Sequence, residues 1–387
     1  MNASASEKFT CARQNRLYIK WGAIFIGLFV LAGCAMKPAH PPAAGEDAPK
    51  RFEVPRRSYP LTPAQEEVRR QATTAVEADI DGYLGRYIES VTAEYDGTGR
   101  LAKPGTRDIL SAMARGPLVI SADDMRELFP QYTASPASRS IHSISVHEAV
   151  TAMAQELYER ALAVDDPRGN NSVLFVAGGV ASGKTTAMRT IDAVKSAEII
   201  YDSTMRRYES AHRRVQQALQ AGKLVVVVYV FTPIERSAVW LVDRAVATGR
   251  VVAADAAARS HWQAQHTFLK LIKEFDGNSA VSFLLIDNSG AKAMLVKPAE
   301  MRNRLYSEDG RFKDLDAFIE YTRELIQAEL KKYKANGTLI RETEEAFDAK
   351  KSTRSCAELS TLALCADRTC ASRRSSAVMV GWRQSCV

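Results

Sequence analysis

The sequence predicts an α/β fold, a parallel sheet flanked by helices, on three observations. A phosphate-loop pattern, Gly178-Gly179-Val180-Ala181-Ser182-Gly183-Lys184-Thr185, follows directly on the apolar strand Val173 to Val176. The run Leu224 to Phe231 is apolar without alternation, as in a strand buried on both faces. Between such strands, apolar residues recur at helical spacing.

Along the chain, Pro63 to Ala93 reads as helical, with a turn at Asp96-Gly97. Leu118 to Ile120 is a short strand ending at Ser121-Ala122-Asp123-Asp124, and Val146, Val150, Met153, Leu157 and Ala161 then mark a helix. The loop strand and its helix, Lys184 to Val194, follow. Glu198 to Tyr201 is a strand ending in Asp202-Ser203-Thr204; a helix through Val215 and Leu219 leads to Leu224–Phe231. Helices Arg236 to Thr248 and Ala256 to Phe275, a strand Val281 to Ile286 and a helix Leu315 to Lys332 complete the body. Ligands of open parallel sheets bind at the carboxyl ends of the strands, where Asp123, Lys184 and Thr204 fall.

A loop of this kind turns consecutive backbone N–H groups toward a nucleotide's phosphates, with glycines supplying angles and clearance that a side chain forbids. The nucleotide-binding stretch is Gly178, Gly179, Val180, Ala181, Ser182, Gly183, Lys184, Thr185 and Thr186. Lys184 would reach the β/γ-phosphates, and Thr185, opening the helix, would ligate Mg²⁺ at the positive end of the helix dipole. Asp202 would hold the Mg²⁺ shell through water, or be a turn residue with no such role.

The N-terminus points elsewhere. Lys8, Arg13, Arg16 and Lys20 precede the short apolar run Trp21 to Ala32, which ends Leu31-Ala32-Gly33-Cys34. This is the pattern of a bacterial lipoprotein signal, residues 1–33, with Cys34 as the lipidated N-terminus of a membrane-anchored envelope protein. An uncleaved anchor or a misassigned start is the alternative. Residues 34–60 read as a Pro- and Ala-containing tether, 61–115 as a helical segment, 116–340 as the catalytic body and 350–387 as a Ser/Arg/Cys-rich tail.

Net charge is +7, but removing residues 1–33 leaves +4 and the tail carries a further +5, so residues 34–349 sit near −1. A nearly neutral body offers no broad attraction for nucleic acid. Cys356, Cys365, Cys370 and Cys386 all lie in the tail, where an even number suggests two disulfides with three possible pairings; zinc lacks a C-x₂-C pair and a histidine there. Disorder fits the tail's composition equally.

Several patches together resemble the zeta-toxin family of small-molecule kinases. They are the phosphate loop, Ala122-Asp123-Asp124-Met125-Arg126 with Pro130, Val146-His147-Glu148-Ala149, Asp202-Ser203-Thr204, Val242-Asp243-Arg244, Thr248-Gly249-Arg250 and Asp287-Asn288, within residues 115–300. The resemblance implies a P-loop kinase-like parallel sheet and transfer of the γ-phosphate of ATP or GTP to a hydroxyl of a nucleotide sugar. In the family that acceptor is UDP-N-acetylglucosamine, and its phosphorylation blocks peptidoglycan synthesis. A neutralising antitoxin or immunity protein is the implied partner. In the usual family order the phosphate loop precedes the Asp strand and the Glu helix; here both come first, an internal permutation that a parallel sheet tolerates. Ser121 and Ser203 are smaller departures.

Phosphoryl transfer needs cations, a metal and one base. By resemblance Asp123 is that base; a helix N-cap is its plainer reading. Arg126, Glu148 and Thr204 would bind the acceptor, although Glu148 would equally suit a solvated helix face and Thr204 a cap. Arg244 and Arg250 would clamp phosphate, with surface salt bridging as the alternative. His147 and His261 carry no assignment, lone histidines being more often structural. An exported lipoprotein meets little ATP, so it acts after delivery into another cell, or its signal is inactive and it stays cytoplasmic, or it is a non-catalytic nucleotide- or phosphate-binding envelope lipoprotein. A nucleotide hydrolase without an acceptor is a third reading.

Overall fold

The computed structural model describes residues 52–347 apart from 58, 59, 96, 97, 99, 189, 190, 298, 299 and 306–309. The signal, Cys34, the Asp96-Gly97 turn and the cysteine tail lie outside the described residues. No helix among the described residues is long and apolar enough to cross a membrane.

The region read as one helical segment resolves into α1 (Pro63–Ala78) and α2 (Ile80–Thr92). Thr62 and Gln65 close a capping box on α1, and Pro63 occupies its first turn, where its missing N–H costs nothing. Asp79 divides the two helices: its backbone leaves the helical region and its carboxylate accepts from the Gly82 N–H at 2.9 Å. A small hairpin, β1 (Glu94–Tyr95) and β2 (Leu101–Lys103), precedes α3 (Ile109–Arg115). The edge strand β3 (Leu118–Ser121) then leads into short helices α4 (Ala122–Met125), α5 (Pro130–Thr133) and α6 (Pro136–His142), and into α7 (His147–Leu162).

The loop strand β4 (Ser172–Ala177) is followed by α8 (Lys184–Met188), shorter than the helix expected to reach Val194, where a 3-10 turn stands instead. Next come β5 (Ile199–Asp202), α9 (Tyr208–Gln220), β6 (Leu224–Phe231), α10 (Ile234–Thr248), α11 (Ala254–Glu274) and β7 (Val281–Asp287). β8 (Met294–Val296), α12 (Leu315–Ala335) and α13 (Arg341–Phe347) end the described chain.

Six strands form the main sheet in the order β3-β5-β4-β6-β7-β8. The first five are parallel; β8 runs antiparallel to β7, an edge strand too short to show as a pattern in the sequence. Period-2 alternation explains why β4 and β6 read as unbroken apolar runs. Val173, Phe175, Val227 and Tyr229 join the core on one face, while Leu174, Val176, Val228 and Val230 join the core on the other.

The early strand β3, read as permuted, lies at the margin of the sheet. β3 docks on the outer side of β5, so no inner pairing depends on whether it precedes or follows β4 in the chain. Its other edge is covered by α2. The buried Tyr87 hydroxyl donates to the Val119 carbonyl at 3.0 Å and accepts from the Ser121 N–H at 2.9 Å, satisfying backbone groups that a missing neighbour strand would leave open. Val76, Leu84, Tyr87 and Ile88 belong to the same core as the sheet, so α1 and α2 are part of the body. Tyr87→Phe would orphan both groups and should lower stability by about 1–3 kcal/mol, read from the denaturant midpoint; an unchanged midpoint would mean that the bonds contribute nothing.

Candidate active site

Register places the candidate residues on one rim. Val176 of β4 and Ser121 of β3 both pair with Asp202 of β5, so the loop after β4 and the turn carrying Asp123 leave the sheet side by side at its carboxyl edge. Thr232 and Asn288 follow immediately on β6 and β7 at the same edge.

The loop is held by its carbonyls. Ser182 O accepts from Thr232 Oγ1 at 2.7 Å and from Asn288 Nδ2 at 3.0 Å, Val180 O is 2.8 Å from His261 Nε2, and Gly179 O is 3.4 Å from Lys184 Nζ. The Ser182 amide also donates to the Gly179 carbonyl at 3.4 Å; with these oxygens engaged, the other amides of the loop and of the first turn of α8 are left to meet an anion. Gly178 and Gly183 take positive φ, 143° and 76°, and an added Cβ at Gly183 would overlap the Asn288 amide. Ala181 also takes φ 54°, a conformation that costs a non-glycine residue on the order of 1 kcal/mol and that the surrounding ties must hold. Thr232 and Asn288 were not assigned as loop supports from sequence, although their place just beyond two apolar strands is a signal for such a role.

Asp123 is not the helix cap. That position is Ser121, whose side chain accepts from the Asp124 N–H at 3.3 Å, leaving the Asp123 carboxylate to point into a cluster of cations. Arg126, one turn on, pairs with its Oδ1, and Arg250 Nη2 lies 3.1 Å from its Oδ2. The carboxylate is half open to solvent, at 53%. Desolvation in the cleft opposes its charge, but Arg126, Arg250, Arg244 and Lys184 together overcome that and hold it well below the usual carboxylate range. Arg250 is delivered by Gly249, which ends α10 at φ 75° and lies so close to the Pro136 carbonyl that a side chain would not fit. Arg244 is half-buried; desolvation and the neighbouring Arg250 lower its pKa, and its Nε makes no hydrogen bond. Arg250 is thus in an ion pair with a half-exposed carboxylate, the salt-bridging alternative, as well as standing beside Arg244.

Asp202 Oδ1 lies 3.9 Å from Lys184 Nζ and has no hydrogen-bond partner. Burial, assisted by Asp123 and Asp124 and opposed by Lys184, raises its proton affinity. A carboxylate oxygen without a hydrogen bond, on the strand next to the loop that carries the exposed Thr185, suits a divalent cation. No group of three or more His, Cys, Asp or Glu gathers among the described residues, so phosphate oxygens and water would complete such an ion's shell.

The acceptor candidates are not all brought together. Arg126 touches Asp123 and lies 3.4 Å from His147 Nδ1. Burial first, then Arg126, Arg57 and Arg206, push His147 down to about 3, so its ring is neutral. Glu148 is neither solvated nor open: it is 3% exposed, takes the Arg57 N–H on Oε1 and stands 3.7 Å from Arg69. Thr204 caps no helix, since α9 begins only at Tyr208 with Arg207 before it; it lies in an irregular loop with Met205 at φ 48°.

Asp123, with its proton affinity lower in the folded chain than unfolded, stabilises above the unfolded value of about 3.9 and loses this as pH falls toward the folded value. Asp123→Asn should therefore lower the urea midpoint at pH 7, with the gap from wild type narrowing below pH ~4. A gap independent of pH would mean that Asp123 does not balance these arginines.

No curated protein matches the chain. Among solved structures, it is similar to the AvrRxo1-ORF1:AvrRxo1-ORF2 complex with sulphate ions, at 12% identity and TM-score 0.37 over 78% of this chain and 92% of that one. The same pair with ATP matches at 13% and 0.37 over 74% and 86%, and the native complex at 14% and 0.34 over 58% and 97%. The zeta toxin family model matches residues 194–297, the stretch from the 3-10 turn before β5 to the end of β8, in agreement with the resemblance carried by the motifs.

Proposed function

We propose that the chain is a kinase that holds ATP or GTP on residues 178–186 and transfers the γ-phosphate to a hydroxyl of a small, phosphate-bearing acceptor, a UDP-amino-sugar in the leading reading. The observation behind this is that Asp123 and Lys184 share one rim and one electrostatic cluster, although they come from strands separated by β5.

The loop amides and Lys184 bind and orient the triphosphate. Thr185 and Asp202 would hold Mg²⁺, which supplies charge neutralisation on the phosphates. Arg244 and Arg250, whose fields reach Asp123, would compensate charge on the transferring group. Asp123 orients the acceptor hydroxyl and takes its proton. A carboxylate held this low by Arg126, Arg250, Arg244 and Lys184 is a weak base in the unliganded chain. Bound phosphates would share those cations and return Asp123 toward ordinary basicity, and a loose transition state asks little of the base before the bond to the leaving oxygen has lengthened.

The convergence of Arg126, Arg244 and Arg250 with Lys184 favours an acceptor with its own negative charge. Glu148 contributes to such an acceptor only if the backbone of Arg57 gives way. Residues 1–34 support an envelope lipoprotein lipidated at Cys34, and the resemblance carries with it a neutralising partner protein.

Purified chain with Mg²⁺-ATP and a panel of UDP-amino-sugars should release ADP and phosphorylate one acceptor. Lys184→Ala should weaken nucleotide binding, and Asp123→Asn should keep it while losing transfer by about 100-fold or more. Nucleotide binding without transfer, indifferent to Asp123→Asn, would favour the non-catalytic reading. Fatty-acid labelling of the expressed protein should require Cys34; labelling that survives Cys34→Ser would refute the anchor.

A further inference from the structure

His261 sits on α11, 2% exposed, directly behind the loop. Its Nε2 lies 2.8 Å from the Val180 carbonyl. A Cβ added to Gly179 would overlap Cγ, Cδ2 and Cε1 of the ring equally, which means that Gly179 lies over the ring face and not at its edge. The imidazole thus touches two consecutive loop residues in two ways, a polar tie to one carbonyl and a van der Waals floor under the preceding Cα. Burial, with Lys184 nearby, outweighs the Val180 bond and pushes its pKa down to about 4. The ring is therefore neutral, and the bond to a carbonyl assigns the proton to Nε2.

We propose that His261 is a positioning residue for the nucleotide loop: by donating to the Val180 carbonyl and supporting Gly179 from behind, it fixes the loop apex with its amides facing the phosphates of a nucleoside triphosphate. The proposal rests on the kinase reading of the same loop. Three facts favour it over a merely space-filling histidine. The neighbouring Ala181 is held at positive φ, so the apex is strained and needs an external restraint. Without a donor, the Val180 oxygen would be free to rotate inward, where it would repel phosphate. And the contact explains the second glycine of Gly178-Gly179: Gly179 is needed for the ring behind it, whatever the ligand in front.

Four variants of the full chain test this: His261→Ala, His261→Gln, Gly179→Ala and the double variant, each titrated with Mg²⁺-ATP by calorimetry, with acceptor KM and the unliganded thermal midpoint measured alongside. His261→Ala should weaken ATP binding tenfold or more with acceptor KM unchanged. His261→Gln, which keeps an N–H donor near Nε2, should recover most of the loss. Gly179→Ala should be the worst single variant, and His261→Ala should partly rescue it by removing the clash, a coupling of opposite sign to simple additivity. Wild-type ATP affinity in His261→Ala, or an equal penalty from Gly179→Ala in both backgrounds, would overturn the proposal while leaving the kinase reading intact. If His261→Ala does not fold, His261→Gln and Gly179→Ala decide: a Gln variant that binds ATP as poorly as Gly179→Ala overturns it. Absence of nucleotide binding in the wild type would refute the kinase reading and this proposal with it.

Discussion

The charge balance around Asp123 is what the rest of the site is organised to achieve. Arg126 reaches it from its own turn, Arg250 from the end of α10, and Arg244 and Lys184 add their fields. Each cation is delivered by a different piece of the fold: the 3-10 turn after α4, the left-handed Gly249, α10 and the start of α8. In the unliganded chain the carboxylate is the counter-ion that makes this convergence tolerable. A phosphate-bearing ligand would take over that task, and the same substitution of one anion for another would free Asp123 to act on a hydroxyl.

Backbone logic in the loop complements this. Tying the carbonyls of Gly179, Val180 and Ser182 to Lys184, His261, Thr232 and Asn288 leaves N–H groups and a single ammonium as the loop's means of meeting an anion. The strain at Ala181 is sustained because β6, β7 and α11 all bear on the loop. Preorganisation of this kind spares a bound triphosphate the cost of ordering its own site.

Much of this was legible in sequence because it is local. The loop, the strand before it and the doubly buried β6 depend on residues that are neighbours in the chain, and the helix and strand positions followed from periodicity. What could not be read was set by tertiary register. That β5 separates β3 from β4, that β8 turns back antiparallel, and that Tyr87 seals the permuted edge strand all follow from pairing across long loops. Glu148 illustrates the limit: the helix was foreseeable, but its burial under the backbone of Arg57 comes from a segment 91 positions away. Thr232 and Asn288 carry only the weak signal of standing just beyond two apolar strands, and the contact of His261 with the loop appears only once α11 is packed behind it.

A structure of the chain bound to a non-hydrolysable ATP analogue tests the central claim most directly. The phosphates should lie against the amides of residues 178–186, with the γ-phosphate between Lys184 and the Asp123 carboxylate. Phosphates bound elsewhere, or a γ-phosphate facing away from Asp123 while the Arg250 pair stays closed, would contradict it.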